Sequence, residues 1–362
     1  MLQNIGSHEE PRVESQDIRS WSEEKLILLC REHGLPDFRG RQIFAGVHRH
    51  GARSWEEIPS LSADARGKLA GILMFEPARL MREWHSRDGT VKYLFGLADG
   101  ESVETVLVPD FAASRRTLCV STQVGCPVGC AFCATGQEGF RRNLAAGEIV
   151  GQVLEVVRAG KECEARDGFK ISNVVFMGMG EPFLNMAMFL DAVNLLHAEG
   201  GLNIGMRRMT VSTCGVVPGI LELAEKNDQM GLAVSLHSGF DEVRDRLVPM
   251  NRKYPLAVLM EACRVYGAKT RRRITFEMVL SEETCTEEEA YALIRLLRGL
   301  IAHVNLIPVN PAGDCGLRRP GRERVARFKG ILERACVPVS VREEKGVDIE
   351  AACGQLRRAS AG

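Results

Sequence analysis

The sequence predicts an α/β protein in which a small helical module precedes strands that alternate with helices. Three observations carry this expectation. Helical spacing broken by turns runs over 18–73, alternating apolar texture bounded by Asp-Gly pairs runs over 91–108, and strand-length apolar runs alternate with helical patterns after Arg116.

Taken in order, helices are expected over 24–32, 40–48 and 60–72, with Gly34-Leu35-Pro36 as the turn after the first. Asp88-Gly89 and Asp99-Gly100 then mark turns around a short antiparallel connection. Strands are expected over 117–122, 171–177, 208–212, 231–236, 273–280, 303–307 and 338–341. The helices between them are expected over 145–159, 186–199, 218–226, 256–266, 287–300 and 322–335. Such alternation implies parallel βαβ units, and periodicity alone leaves a barrel and an open wound sheet equally available. The chain divides into a helical accessory region (1–85), a β-rich connection (86–115), the strand–helix core (116–345) and a C-terminal segment (346–362).

At 362 residues and 45% hydrophobic the chain is long enough for one large domain with a smaller accessory. No apolar run approaches the roughly 18 to 20 residues of a membrane helix, and residues 1–10 are polar and acidic rather than signal-like. A soluble, cytoplasmic protein is expected. A formal net charge of zero excludes a grip on nucleic acid through overall charge alone. Arg318, Arg319, Arg322, Arg324 and Arg327 leave open a local basic face, the alternative being a solvated arginine-rich helix.

Twelve cysteines without an export signal point to metal or redox chemistry. Cys126, Cys130 and Cys133 lie in Cys126-Pro-Val-Gly-Cys130-Ala-Phe-Cys133, a glycine-bearing loop expected directly after the first parallel strand. Three thiolates can hold three irons of a cubane cluster and leave the fourth iron open to a ligand. The alternative is a structural zinc site completed by Cys119, in a non-catalytic RNA-binding protein. The next strand ends in Met177-Gly178-Met179-Gly180-Glu181-Pro182. Ligands of α/β sheets bind at the carboxyl ends of strands, where glycine admits a close approach, and Glu181 suits the ammonium of an amino-acid moiety. Ser212-Thr213, Ser235-Leu236-His237 and Asn305 to Pro311, with Asn310, bring further polar groups to the same rim. Cys353, between small residues near the C-terminus, is either an inert thiol or a nucleophile delivered to that rim.

Together these motifs resemble the RlmN/Cfr family of radical S-adenosylmethionine (SAM) RNA adenosine methyltransferases over nearly the whole chain. The resemblance rests on the cysteine spacing with Phe132 before the last cysteine, and on Phe38-Arg39-Gly40-Arg41-Gln42-Ile43-Phe44 and Val103-Glu104-Thr105-Val106. It extends to Leu118-Cys119-Val120-Ser121-Thr122-Gln123 and, most specifically, to Cys353-Gly354-Gln355 occurring together with Cys119. It implies a partial (β/α)6 barrel of the TIM type and one 4Fe-4S cluster on Cys126, Cys130 and Cys133. It also implies SAM contacts at Gly180, Glu181, Ser212, Ser235, Leu236, His237 and Asn310, and Glu104 as a proton acceptor.

A ring carbon of adenine is a poor nucleophile, and the family's chemistry answers this with two SAM molecules per turnover. By resemblance, one SAM methylates Cys353 by displacement and a second is cleaved to a deoxyadenosyl radical. That radical removes a hydrogen from the Cys353 methyl group, and the methylene radical adds to the base. Cys119 then attacks the Cys353 sulfur, leaving a disulfide. The implied substrate is an adenosine of 23S rRNA, and also of tRNA, with carbon 2 favoured over carbon 8 because Pro308 is shared with the carbon-2 branch. The implied partners are RNA and an electron donor such as flavodoxin or ferredoxin, the protein acting as a monomer. Departures from the family pattern occur at Ser238, at Ser281-Glu282-Glu283-Thr284-Cys285-Thr286 and at Ala312-Gly313-Asp314-Cys315. They bear on the substrate rather than on the chemistry.

Overall fold

The computed structural model describes residues 16–76, 78–163, 169–226, 229–310 and 316–357. Helix α1 (Glu23–Glu32) starts where the Ser22 hydroxyl accepts the Lys25 N–H, with Glu23 and Glu24 in its first turn. A side-chain cap and two carboxylates thus meet the N–H groups that a helix start leaves unpaired. Helix α2 (Asp37–His48) follows Pro36 and packs so closely on α1 that a Cβ on Gly40 would lie 2.6 Å from the Ile27 main chain. Ser62 caps the short α3 (Ala63–Leu69). Leu26, Ile43, Phe44, Val47 and Leu69 are buried and belong to the same continuous core as the strands that follow.

The helical region ends sooner than expected, because β1 (Arg79–His85) is a strand. Its burial follows no two-residue period, as befits a sheet edge, so the sequence offers no alternation to read there. It pairs antiparallel with β2 (Val91–Gly96), which pairs with β3 (Ser102–Asp110), which pairs with β4 (Arg115–Cys119). The anticipated connection is therefore the first limb of the main sheet.

After β4 the chain detours through a small antiparallel hairpin, β5 (Gln123–Gly125) and β6 (Phe140–Asn143), with the one-turn helix α4 (Ala134–Gln137) between its strands. The cysteine loop follows the first parallel strand as expected, with the short β5, which the sequence reading did not anticipate, in between. The loop grows from the hairpin, and a three-residue strand is too short to show a hydrophobic period. The chain then runs through α5 (Ala146–Cys163), β7 (Asn173–Phe176), α6 (Met186–His197), β8 (Met209–Thr213) and α7 (Val217–Lys226). It continues through β9 (Gly231–Ser235), α8 (Asp241–Leu247), α9 (Leu256–Thr270), β10 (Ile274–Leu280) and α10 (Glu287–Leu296). It ends with β11 (Ala302–Pro308), α11 (Arg322–Arg334) and β12 (Val339–Val341).

Strand order in the main sheet is β1-β2-β3-β4-β7-β8-β9-β10-β11-β12. Every neighbouring pair from β4 to β12 is parallel. Six strand-to-helix units therefore run from β4 to α11, as in the partial barrel expected, and pairing among the described residues does not run round to close a ring. Val174, Phe176, Val211, Leu232, Val234, Phe276, Met278, Val304 and Leu306 are buried in these strands, each such side chain contributing about 1.5–3 kcal/mol on burial.

The sequence reading missed α8, whose seven residues include five charged ones and whose buried members are Arg244 and Leu247. Helix α10 stops four residues early, ahead of Gly299 at a φ of 80°. The altered loop at Ala312 to Cys315 lies outside the described residues. Among the described residues no helix is long and apolar enough to cross a membrane.

Candidate active site

A cavity opens at the carboxyl ends of the parallel strands, the place where α/β sheets and barrels bind their ligands. Its wall holds Cys126, Cys130, Cys133, Gly180, Glu181, Ser212, Ser235, His237, Asn310 and Cys353. Ten of the candidate residues, drawn from six separate stretches of chain, thus meet at one place.

The cysteine loop is held by its backbone. Gly125 has a φ of 74°, and a Cβ there would fall 1.9 Å from the Gly139 carbonyl oxygen, so only glycine lets the hairpin close below the loop. The Cys126 N–H donates to Gly139 O at 3.1 Å, Cys133 N–H to Cys130 O at 3.1 Å, and Ala131 N–H to Leu247 O at the end of α8 at 3.0 Å. The three thiols are pushed up, Cys126 to about 12, first by burial, with Cys126 and Cys130 raised further by neighbours in the trio and Cys133 by Cys353. As thiolates they need compensating cations, and the irons of a cluster supply them. The donor set fits a 4Fe-4S cluster, which these three residues would hold. The electrostatic neighbours of Cys119 are Cys353 and Arg342 rather than the cysteine trio.

Around the rim, Gly180 takes a φ of 102°, and a Cβ there would strike Gln123 at 2.6 Å. The Glu181 N–H donates to Gln123 Oε1 at 2.8 Å. Its carboxylate accepts the Phe183 N–H at 3.1 Å and the Cys214 N–H at 2.7 Å. Burial nevertheless raises it above the usual carboxylate value, against these backbone bonds and further hydrogen bonds from the Cys214 and Thr213 side chains. The Ser212 and Ser235 hydroxyls stand 3.4 Å apart. His237 has a φ of 64°, a strained conformation for a side chain of its size. Its Nδ1 accepts the Val279 N–H at 3.1 Å, and burial followed by the Arg244 charge pushes the imidazole down to about 3. The ring is therefore neutral and carries its proton on Nε2. Phe132 packs edge-on against it at 4.5 Å. Leu236, fully buried, is not among the lining residues and offers its backbone carbonyl to Arg244.

The remaining candidates sit behind the wall. Burial, with Cys353 beside it, pushes the Cys119 thiol up to about 12, against the opposing charge of Arg342. Both cysteines are free thiols, so the disulfide implied by resemblance is not formed in this structure. Glu104 is buried and pairs with Lys92 at 3.0 Å, and its other oxygen accepts the Arg357 N–H at 2.9 Å. Burial outweighs these partners and raises its carboxyl. The cavity also shows what sequence reading passed over: Cys214, Glu277 and Arg342. Cys214 adjoins Ser212-Thr213 and Arg342 adjoins the last strand, so proximity to strand ends was the available signal.

A thiol trio in a CxxxCxxC loop, placed at the open rim of a parallel partial barrel, defines a radical SAM protein, and residues 120–297 match the Radical SAM superfamily. The crystal structure of a radical SAM methyltransferase from Sphaerobacter thermophilus matches with a TM-score of 0.89 and 45% identity, over 94% of this chain and 99% of that one. A probable dual-specificity RNA methyltransferase RlmN of Desulfitobacterium hafniense is 53% identical over 350 residues, 96% of this chain and 97% of that protein. Its counterpart in Heliobacterium modesticaldum is 45% identical over 358 residues, 98% and 92% of the two chains. The chain belongs to the RlmN family and is a SAM-dependent radical methyltransferase. The non-catalytic zinc-protein reading falls with that.

Proposed function

We propose that this enzyme methylates carbon 2 of an adenosine in 23S rRNA, and also in tRNA, using a methyl group carried on Cys353. The observation that carries the reading is the meeting of Cys353 and the cysteine trio in one cavity wall, with Cys119 close behind. A cluster bound by Cys126, Cys130 and Cys133 would supply the single electron that cleaves SAM. Gly180, Glu181, Ser212, Ser235, Leu236, His237 and Asn310 line or back the space where SAM would lie. Cys353 takes the methyl group of one SAM, and a second SAM is consumed in activating it. Cys119 attacks the Cys353 sulfur to free the product, forming a disulfide that a reductant must reopen. Glu104, raised by burial and tied to the C-terminal segment through Arg357, accepts the proton lost from the base.

Region 1–85 serves as an RNA-contacting accessory, 86–115 as the connection, 116–345 as the barrel and 346–362 as the carrier of the methylated cysteine. The protein works in the cytoplasm as a monomer with a flavodoxin- or ferredoxin-type donor. Methylation at carbon 8 is the competing reading, suggested by Ser238. That residue is fully buried, and its hydroxyl donates to Glu289 at 2.6 Å and accepts the Phe240 N–H at 3.0 Å. It is not among the residues of the cavity wall, and the other departure behind this reading, the loop at Ala312 to Cys315, lies outside the described residues.

The test is incubation of unmodified 23S rRNA and bulk tRNA with labelled SAM, followed by nucleoside chromatography against 2-methyladenosine and 8-methyladenosine standards. Label under the 2-methyl standard from both RNAs is expected. Label under the 8-methyl standard alone overturns the choice of carbon, and no label in either RNA overturns the substrate.

A further inference from the structure

Arg244 is a fully buried cation without a direct carboxylate partner among the ion pairs of the described residues. Its Nε donates to Leu236 O at 2.9 Å, Nη2 to Cys214 O at 2.6 Å and to Ser235 O at 3.2 Å, and Nη1 to Asn251 Oδ1 at 2.7 Å. Three of these acceptors are main-chain carbonyls at the ends of β8 and β9, where the SAM-facing residues sit. The helix that carries Arg244 is also the one whose last residue, Leu247, accepts the Ala131 N–H from between Cys130 and Phe132. One seven-residue helix thus grips the cysteine loop with its backbone and the opposite rim with its guanidinium.

Asn251, which accepts from Arg244, donates its Nδ2 to Asp241 and Asp245 at 2.9 and 2.7 Å. Cys214, Cys130, Asp241 and Cys263 are the electrostatic neighbours of the guanidinium, and its charge helps push the His237 imidazole down. A guanidinium remains protonated even when burial lowers its proton affinity. Buried charges act over a longer range than surface ones because little solvent screens them.

We propose that Arg244 is a positioning residue that locks the β8 and β9 rim to the cysteine loop and holds a fixed positive charge beside the cluster ligands. The proposal rests on the assignment of Cys126, Cys130 and Cys133 to a 4Fe-4S cluster. A cluster held by these thiolates would gain one negative charge on accepting an electron from a low-potential donor. A neighbouring cation stabilises that reduced form, so removing the cation moves the midpoint potential to more negative values.

The experiment is an EPR-monitored redox titration of the full chain after anaerobic reconstitution, with SAM affinity measured by equilibrium dialysis on the same samples. Arg244→Gln should load a cluster whose midpoint is more negative than wild type. Arg244→Lys retains the charge without the fork, so its midpoint should match wild type while SAM binds about tenfold more weakly. A cluster-loaded Arg244→Gln protein with the wild-type midpoint overturns the electrostatic role. If Arg244→Gln does not fold, Arg244→Lys decides alone. A shifted midpoint, or unchanged SAM affinity, overturns the proposal, and wild-type midpoint with weakened SAM supports it. Absence of any 4Fe-4S signal from the wild-type chain would instead overturn the cluster assignment on which the proposal stands.

Discussion

At the scale of single residues, the two extra cysteines make the sharpest prediction. Cys353 lines the cavity and Cys119 stands behind it, an arrangement suited to loading and release. Cys353→Ala should never acquire a methyl group from SAM. Cys119→Ala should accumulate a covalent protein–RNA adduct, visible as a shifted band on a denaturing gel. Normal turnover by Cys119→Ala would remove it from the release step. His237 makes a different prediction. Its imidazole is pushed down to about 3 in the folded protein, against roughly 6.5 in an unfolded chain. The folded state therefore prefers the neutral ring, and this contribution to stability is full above about pH 6.5 and lost as pH falls toward 3. His237→Asn keeps a side chain that tolerates the left-handed backbone but does not titrate. The drop in urea midpoint between pH 7 and pH 5 should be smaller in that variant, although His48, pushed down to about 3 by its own burial, will leave part of it.

At the scale of elements, the C-terminal segment reaches the rim through anchors on β2, β3 and the turn before them. Asp88 accepts the Gly346 N–H at 2.9 Å, Asp348 accepts from Ser86 Oγ at 2.6 Å, and Lys92 donates to Glu350 O at 3.3 Å. Farther along, Ala134 N–H donates to Gly354 O at 2.8 Å and Thr135 Oγ1 to Leu356 O at 2.5 Å. Against a desolvation cost that acts the other way, hydrogen bonds from Thr90, Gly346 and Ser86 bring the Asp88 carboxyl down to about 2. A lowered carboxylate stabilises docking above its unfolded value of about 3.8 and loses that effect as pH falls through 2. Asp88→Asn should accordingly speed amide hydrogen exchange over residues 346–354 and slow methyl loading of Cys353, with the cluster spectrum unchanged. Equal exchange rates in the two proteins would show that the anchor is not Asp88. The segment's attachment was illegible in sequence, since its partners lie more than 200 positions upstream.

At the scale of the whole molecule, the N-terminal helices and the barrel share one core. Arg19 and Asp17 form a buried pair at 3.0 Å, and the Ser20 hydroxyl accepts the Gly147 N–H at the start of α5 at 2.9 Å. Arg53 reaches Glu155 in the middle of that helix. Shared burial of this kind couples unfolding. Trp21 and Trp55 belong to the helical region and Trp84 to β1, so tryptophan fluorescence reports the N-terminal third. Its thermal transition should coincide with that of far-UV circular dichroism, which reports the whole chain. Fluorescence melting well ahead of dichroism would mean that the module folds as a separate unit.

What the sequence by itself determined was whatever depends on near neighbours along the chain. The parallel strands and their helices were readable because apolar period is a local property, and the cysteine trio was readable because Cys126, Cys130 and Cys133 lie within eight residues. The polar strand ends were readable because a βα unit repeats one local pattern, and Cys353 because its surroundings matched a family motif. Tertiary structure alone decided the rest. It turned Ser238 away from the cavity and brought Cys119 beside Cys353 from 234 positions away along the chain. It made a charged seven-residue helix the brace between the cysteine loop and the ends of β8 and β9. Such roles depend on what a folded chain places within a few ångströms of a side chain, and no periodicity or spacing along the sequence records that distance.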